Sequence, residues 1–150
     1  MISIPRHSAS DSVDDLAAAL AYAGCLVVSE AADLATRDAI TAELAPHMAA
    51  VRVRDDAAAA FYPGLTRRVS ALVARSARVG ELILHPTATA LCDRFLTPNA
   101  HFGYQLHATA ALEVGPGARA QVLHREEDAF TFFPLPRPNL VVATMWAIRR

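Results

Sequence analysis

The sequence predicts an α+β fold, with a helical N-terminal part followed by strands, on three observations. Apolar residues recur at helical spacing between Leu16 and Leu96. From His101 the period drops to two: Phe102, Tyr104, Leu106, Ala108, Ala110 and Leu112 alternate with Gly103, Gln105, His107, Thr109, Ala111 and Glu113. Asn139 to Ile148, with Val141, Val142 and Thr144, then reads as a last strand.

In chain order, residues 1 to 10 read as a loose tail. Ser12 is an N-cap, with Asp15 three residues on, for a helix through Leu16, Leu20 and Tyr22 that Gly24 closes. Cys25 to Val28 follows as a short buried strand. A second helix begins at Asp33, carries Leu34, Ile40 and Leu44 on one face, and ends at Pro46. Residues 52 to 64 are irregular and finish in a turn at Tyr62-Pro63-Gly64. A helix through Val69, Leu72 and Val73 is predicted next. Arg67, Arg68, Arg75 and Arg78 around it form either a solvated face or a seat for an anionic substrate group. His85-Pro86 breaks the chain before a helix over Leu91, Cys92, Phe95 and Leu96. The alternating run from Phe102 turns at Gly115-Pro116-Gly117 and returns as a strand from Ala118 to His124. Glu127 to Pro138, with three prolines and three phenylalanines, is a loop.

Composition narrows the function classes. A chain of 150 residues suits one domain, residues 1–150, long enough for a core. Apolar residues make up 53% and charged residues only 19%, so apolar surface is expected to be covered by a partner or a further part of the fold. A net charge of -1 offers no electrostatic footing for nucleic acid or an anionic membrane. All 14 basic residues are arginine, which excludes lysine Schiff-base chemistry and, with the abundant alanine, suggests a GC-rich bacterial source. Cys25 and Cys92 are expected as buried free thiols, and two cysteines are too few for a cysteine zinc site. The first 15 residues lack an apolar signal core, and no apolar run approaches the roughly 20 residues of a membrane span, so the expected location is cytoplasmic.

The chemistry concentrates at His124-Arg125-Glu126. On a strand, residues i and i+2 share a face, so His124 and Glu126 can reach one ion together. Two histidines and one carboxylate make up the protein ligands of a non-haem Fe(II) facial triad, and this pair supplies two of the three. The competing reading is a surface turn with a solvated charge cluster. Asp128 reaches the same face at i+4 but ranks lower, because Phe130 and the prolines mark a chain already leaving the sheet. His107 is expected as a core histidine, with a pocket-lining or ligand role as its alternative.

From about residue 16 to 148 the chain resembles the phytanoyl-CoA dioxygenase family of Fe(II)/2-oxoglutarate oxygenases. The pieces that carry the resemblance are Phe61-Tyr62-Pro63-Gly64, Thr66-Arg67-Arg68, Ala71 to Ser76, Gln105-Leu106-His107, Gly115-Pro116-Gly117, Gln121 to Glu126, and Asn139 running to Trp146-Ala147. The resemblance implies a helical cap and the first strands of a double-stranded β-helix, a cupin-like jelly roll left incomplete with open sheet edges. It implies Fe(II) on His124 and Glu126, 2-oxoglutarate contacts at Gln105, Thr109, Gln121 and Trp146, and hydroxylation of a small organic or acyl substrate. One departure is His-x-Glu where the family has His-x-Asp. A second is that no histidine follows His124, whereas the family's distal iron histidine and 2-oxoglutarate arginine lie beyond the tryptophan strand.

The chain is therefore expected to match the family's N-terminal half, truncated before those two groups. It would act with a complementary C-terminal half or a second copy of itself. The alternatives are a catalytically inactive remnant or oligomerising binding module, and a small metal-free lyase or isomerase using His124 and Glu126 as base and acid.

Overall fold

The computed structural model describes residues 3–53 and 64–148. Phe61, Tyr62 and Pro63 of the predicted turn, and the terminal Arg149-Arg150, fall outside the described residues.

The predicted first helix is present as α1, Val13–Ala23. Ser12 Oγ accepts the Asp15 N–H at 3.1 Å and donates to the Asp15 carboxylate at 2.6 Å. Gly24 ends the helix in the left-handed region at φ 74°, its N–H donating to the Leu20 carbonyl. Before it, strand β1 (Arg6–Ser8) pairs in parallel with β2 (Val27–Ser29), so the tail read as loose is partly ordered. Three residues carry too little periodicity to announce a strand, and this one exists because β2 supplies its hydrogen-bond partners. Cys25 precedes β2 and is exposed, not buried, while Cys92 is half-buried.

Helix α2, Leu34–Ala50, starts where Asp33 Oδ1 accepts the Thr36 N–H at 2.6 Å. It runs through Pro46 instead of stopping there. Proline removes one hydrogen bond, but Met48, beyond it, packs on the core cluster with Ile40 and Leu44 and keeps the last turn helical. The same cluster takes in Val69, Leu72, Val79 and Leu82.

The segment predicted as a helix through Val69 is instead strand β3, Thr66–Ser70, antiparallel to β4, Ala110–Val114. Tertiary pairing overrides a short pattern that fits either period, with Arg67 opposite Glu113 and Val69 opposite Ala111. Ala71, at φ 56°, turns the chain into a single 3-10 turn, Leu72–Ala74. Helix α3, Val79–Ile83, was not anticipated. Its start is built by Glu43, whose carboxylate accepts from Ser76 Oγ at 2.6 Å and from Arg78 N–H at 3.2 Å. Helix α4, Pro86–Leu96, begins as expected after His85, whose Nδ1 accepts the Thr87 N–H. Leu91 and Phe95 of α4 pack against Leu16 and Ala17 of α1 in a second cluster.

Past β4, Ala118 N–H donates to Gly115 O at 3.2 Å and Gly117 sits at φ 79°, a turn with Pro116 and Gly117 at its centre. Gly115 is pressed on Leu65, and a Cβ there would lie 2.8 Å from the Leu65 carbonyl oxygen.

The second half departs most from expectation. Only Ala110–Val114 of the alternating run forms a strand, and neither Ala118 to His124 nor Asn139 to Ile148 is one. A strand is defined by a hydrogen-bonded neighbour, and these segments have none among the described residues. Among the described residues the architecture is thus mixed helix and strand, with two two-stranded sheets. Apolar side chains stay uncovered as a result, with Leu123 99% and Phe102 98% exposed. No helix among the described residues is long and apolar enough to cross a membrane.

Candidate metal centre

The motif leads into a 3-10 turn, Glu126–Ala129, and does not lie at a strand end among the described residues. His124 Nε2 is nevertheless 3.6 Å from Glu126 Oε1. His124 Nδ1 lies 2.8 Å from the Val122 carbonyl oxygen. A carbonyl only accepts, so Nδ1 carries the proton and the neutral ring's lone pair is at Nε2, beside the carboxylate. An imidazole lone pair next to a carboxylate is a donor set that suits Fe(II).

The neighbouring acids are committed elsewhere. Glu127, only 8% exposed, pairs with the Arg125 guanidinium and accepts the Leu140 backbone N–H at 3.2 Å. Asp128 accepts the Arg125 N–H at 3.2 Å through Oδ2 and pairs with Arg137 at 3.2 Å through Oδ1. Its low rank as a ligand follows from those partners. Among the described residues no three His, Cys, Asp or Glu side chains are grouped to hold one ion. Among the described residues the candidate site has two donors, His124 and Glu126.

The four residues assigned to 2-oxoglutarate do not converge on one pocket. Thr109 Oγ1 accepts the Leu72 N–H at 2.9 Å. Trp146 packs on the core cluster of α2 and β3, meets the His85 ring edge-on at 5.3 Å, and donates from Nε1 to Thr144 Oγ1. Gln105 and Gln121 are exposed. An open groove of about 480 Å³ runs beside β3, lined by Arg68, Ser70, Val73, Leu106, His107 and Thr109 among others. It brings Thr109 together with His107, whose ring is 5.9 Å from that of Phe130, but its lining includes none of Gln105, Gln121, Trp146, His124 and Glu126. Of the four arginines, Arg67 pairs with Glu113, Arg75 donates to the Ser70 carbonyl, Arg78 pairs with Glu81, and Arg68 faces the groove.

Two further anchors escaped the sequence reading. Glu127 is one, and its only signal was the run of three acids between Arg125 and Arg137. The other joins Tyr104 to α4, the phenol donating to Asp93 Oδ1 at 2.7 Å. That hydrogen bond to a carboxylate, reinforced by desolvation, pushes the Tyr104 phenol up to about 12.

The Phytanoyl-CoA dioxygenase (PhyH) family model matches residues 21–149. The chain is 28% identical over 131 residues to the multifunctional dioxygenase ausE of Penicillium brasilianum, covering 87% of this chain and 44% of that protein. It is 27% identical over 131 residues to the multifunctional dioxygenase prhA of the same fungus, with the same coverage of 87% and 44%. A shorter match, 33% identical over 66 residues, joins it to dioxygenase FrzG of a Cladobotryum species, covering 43% of this chain and 22% of that protein. The chain spans less than half the length of these curated relatives.

Proposed function

The chain belongs to the phytanoyl-CoA dioxygenase family, and from that premise we propose that it supplies half of a non-haem iron site for 2-oxoglutarate-dependent hydroxylation of a small organic or acyl substrate. The observation that carries this reading is the His124–Glu126 pair, with Nε2 3.6 Å from Oε1 inside the span the family model matches. His124 and Glu126 would hold the ion. An Fe(II) held there would activate O2, the oxidant, with 2-oxoglutarate as the co-reductant that leaves as succinate and CO2, so that a substrate C–H bond could be hydroxylated. The Val122 carbonyl fixes the tautomer that keeps the Nε2 lone pair toward the ion. Glu126 reaches one methylene further than an aspartate would, from the first position of the turn Glu126–Ala129. Of the four proposed 2-oxoglutarate contacts, Gln105, Thr109, Gln121 and Trp146, only Thr109 lines the groove beside β3, so a shared pocket would have to be completed by further polypeptide. The third iron ligand and the arginine for the distal carboxylate of 2-oxoglutarate come, in this proposal, from outside this copy of residues 1–150, either a complementary C-terminal half or a second copy.

A second reading, a catalytically inactive remnant or oligomerising binding module, is favoured by the exposed apolar side chains of Phe102, Leu123 and Met145. Anaerobic titration with Fe(II) and 2-oxoglutarate separates the two. The visible charge-transfer band of 2-oxoglutarate chelated to protein-held iron is expected in the wild type and lost in His124→Ala. A folded wild-type chain without the band overturns iron binding by this chain and leaves the second reading.

A further inference from the structure

Glu126, Glu127 and Asp128 are three consecutive acids with different surroundings. Glu126 is largely exposed and faces His124, whereas Glu127 is buried and ties two separate pieces of chain. One Glu127 oxygen pairs with the Arg125 guanidinium, and the other accepts the N–H of Leu140, thirteen residues on. Asp128 completes the clamp by accepting the Arg125 N–H and pairing with Arg137, which reaches back from the far side of the same loop. Arg125 is thus held through its side chain by Glu127 and through its backbone by Asp128. Glu126 therefore sits between two residues, Arg125 and Glu127, whose side chains bond to each other, and its backbone starts the turn they hold.

We propose that Glu127 is a positioning residue, which holds the Glu126 carboxylate beside His124 through its bonds to Arg125 and Leu140. The same bonds leave the neighbouring carboxylates occupied, so the ion has one carboxylate to choose. The metal consequence rests on the reading of His124 and Glu126 as iron donors, but the positioning itself does not.

The test compares wild type, Glu127→Ala, Glu127→Gln and His124→Ala, using Co(II) alone as the metal probe. Without metal, the nuclear Overhauser contact between the His124 ring proton beside Nε2 and the Glu126 γ protons is expected in the wild type and lost in Glu127→Ala. With Co(II), Glu127→Ala is expected to bind at His124 roughly 10-fold more weakly. Glu127→Gln, which retains an oxygen for the Leu140 N–H, recovers part of both. A Glu127→Ala chain with the wild-type contact and wild-type Co(II) affinity overturns the proposal. Equal Co(II) affinity in wild type and His124→Ala overturns the iron reading instead, and the metal-free contact then decides the positioning role alone. Should Glu127→Ala fail to fold, Arg125→Ala carries the same two measurements, because that side chain is 72% exposed and its loss opens no buried void.

Discussion

The Thr109 hydroxyl accepts the Leu72 backbone N–H at 2.9 Å, while the Thr109 carbonyl accepts from Ala71 N–H at 3.0 Å. A residue proposed to touch 2-oxoglutarate therefore also joins the start of β4 to the turn that follows β3. Its two roles make different demands on substitution. Thr109→Val leaves the Leu72 N–H without its acceptor and is expected to lower stability by about 1 to 2 kcal/mol. Thr109→Ser keeps the oxygen and is expected to stay within about 0.5 kcal/mol of wild type. Urea denaturation of the three proteins checks this, and equal midpoints would remove the structural role.

Tyr104 offers a test on the alkaline side. Its folded pKa, about 12, lies above the ordinary value of 10.0, because the phenol donates to the Asp93 carboxylate. A raised folded value means stability that is fully present below pH 10 and is lost as the pH rises through about 12. In Asp93→Asn the ultraviolet titration of Tyr104 is expected to move down toward 10, and the alkaline loss of stability to shrink with it. An unchanged titration would show that the Asp93 contact does not form in solution.

Glu43 works in the opposite direction. Hydrogen bonds from the Ser76 hydroxyl and then the Arg78 N–H hold its carboxyl below the ordinary 4.5. A lowered folded value means stability that is present above pH 4.5 and is lost as the pH falls through the folded value. Glu43→Gln is expected to flatten the acid limb of the stability profile while leaving the neutral region less stable, since α3 loses the carboxylate that organises its start. Acid denaturation followed by far-ultraviolet circular dichroism reads both effects.

Pro46 lies inside α2, where it removes a backbone donor from a helix that continues to Ala50. Pro46→Ala restores that donor and is expected to stabilise the protein by about 1 to 3 kcal/mol, with helix content unchanged or slightly higher. A lowered melting temperature would show that the proline is needed to seat Met48.

Local chemistry was readable wherever a boundary rests on a few adjacent residues. Ser12, Gly24, Asp33 and His85-Pro86 all mark helix ends in the structure as in the sequence, because caps are satisfied within one turn. The proximity of His124 and Glu126 was readable for the same reason, although a turn produces it and not the face of a strand. Illegible features each depend on a distant partner. Thr66–Ser70 became a strand because Ala110–Val114 lies beside it. Arg6–Ser8 became one because of Val27–Ser29. Glu127 reads as one more surface acid until Leu140 is seen to donate to it.

By itself, then, the sequence determined the helical caps, the mixed α and β content, the family and the adjacency of the two candidate iron donors. The caps, the mixed content and the adjacency follow from covalent spacing and from hydrogen bonds closed over three or four residues, whereas the family rests on the resemblance of ordered motifs. Only the tertiary structure decided which extended segments became strands, which acid faces His124 and which two hold the loop. A strand needs a neighbour for its N–H and C=O groups, and a buried carboxylate needs donors brought from elsewhere in the chain. Residues 118–124 and 139–148 show the difference, apolar and extended in pattern yet left without a ladder among the described residues.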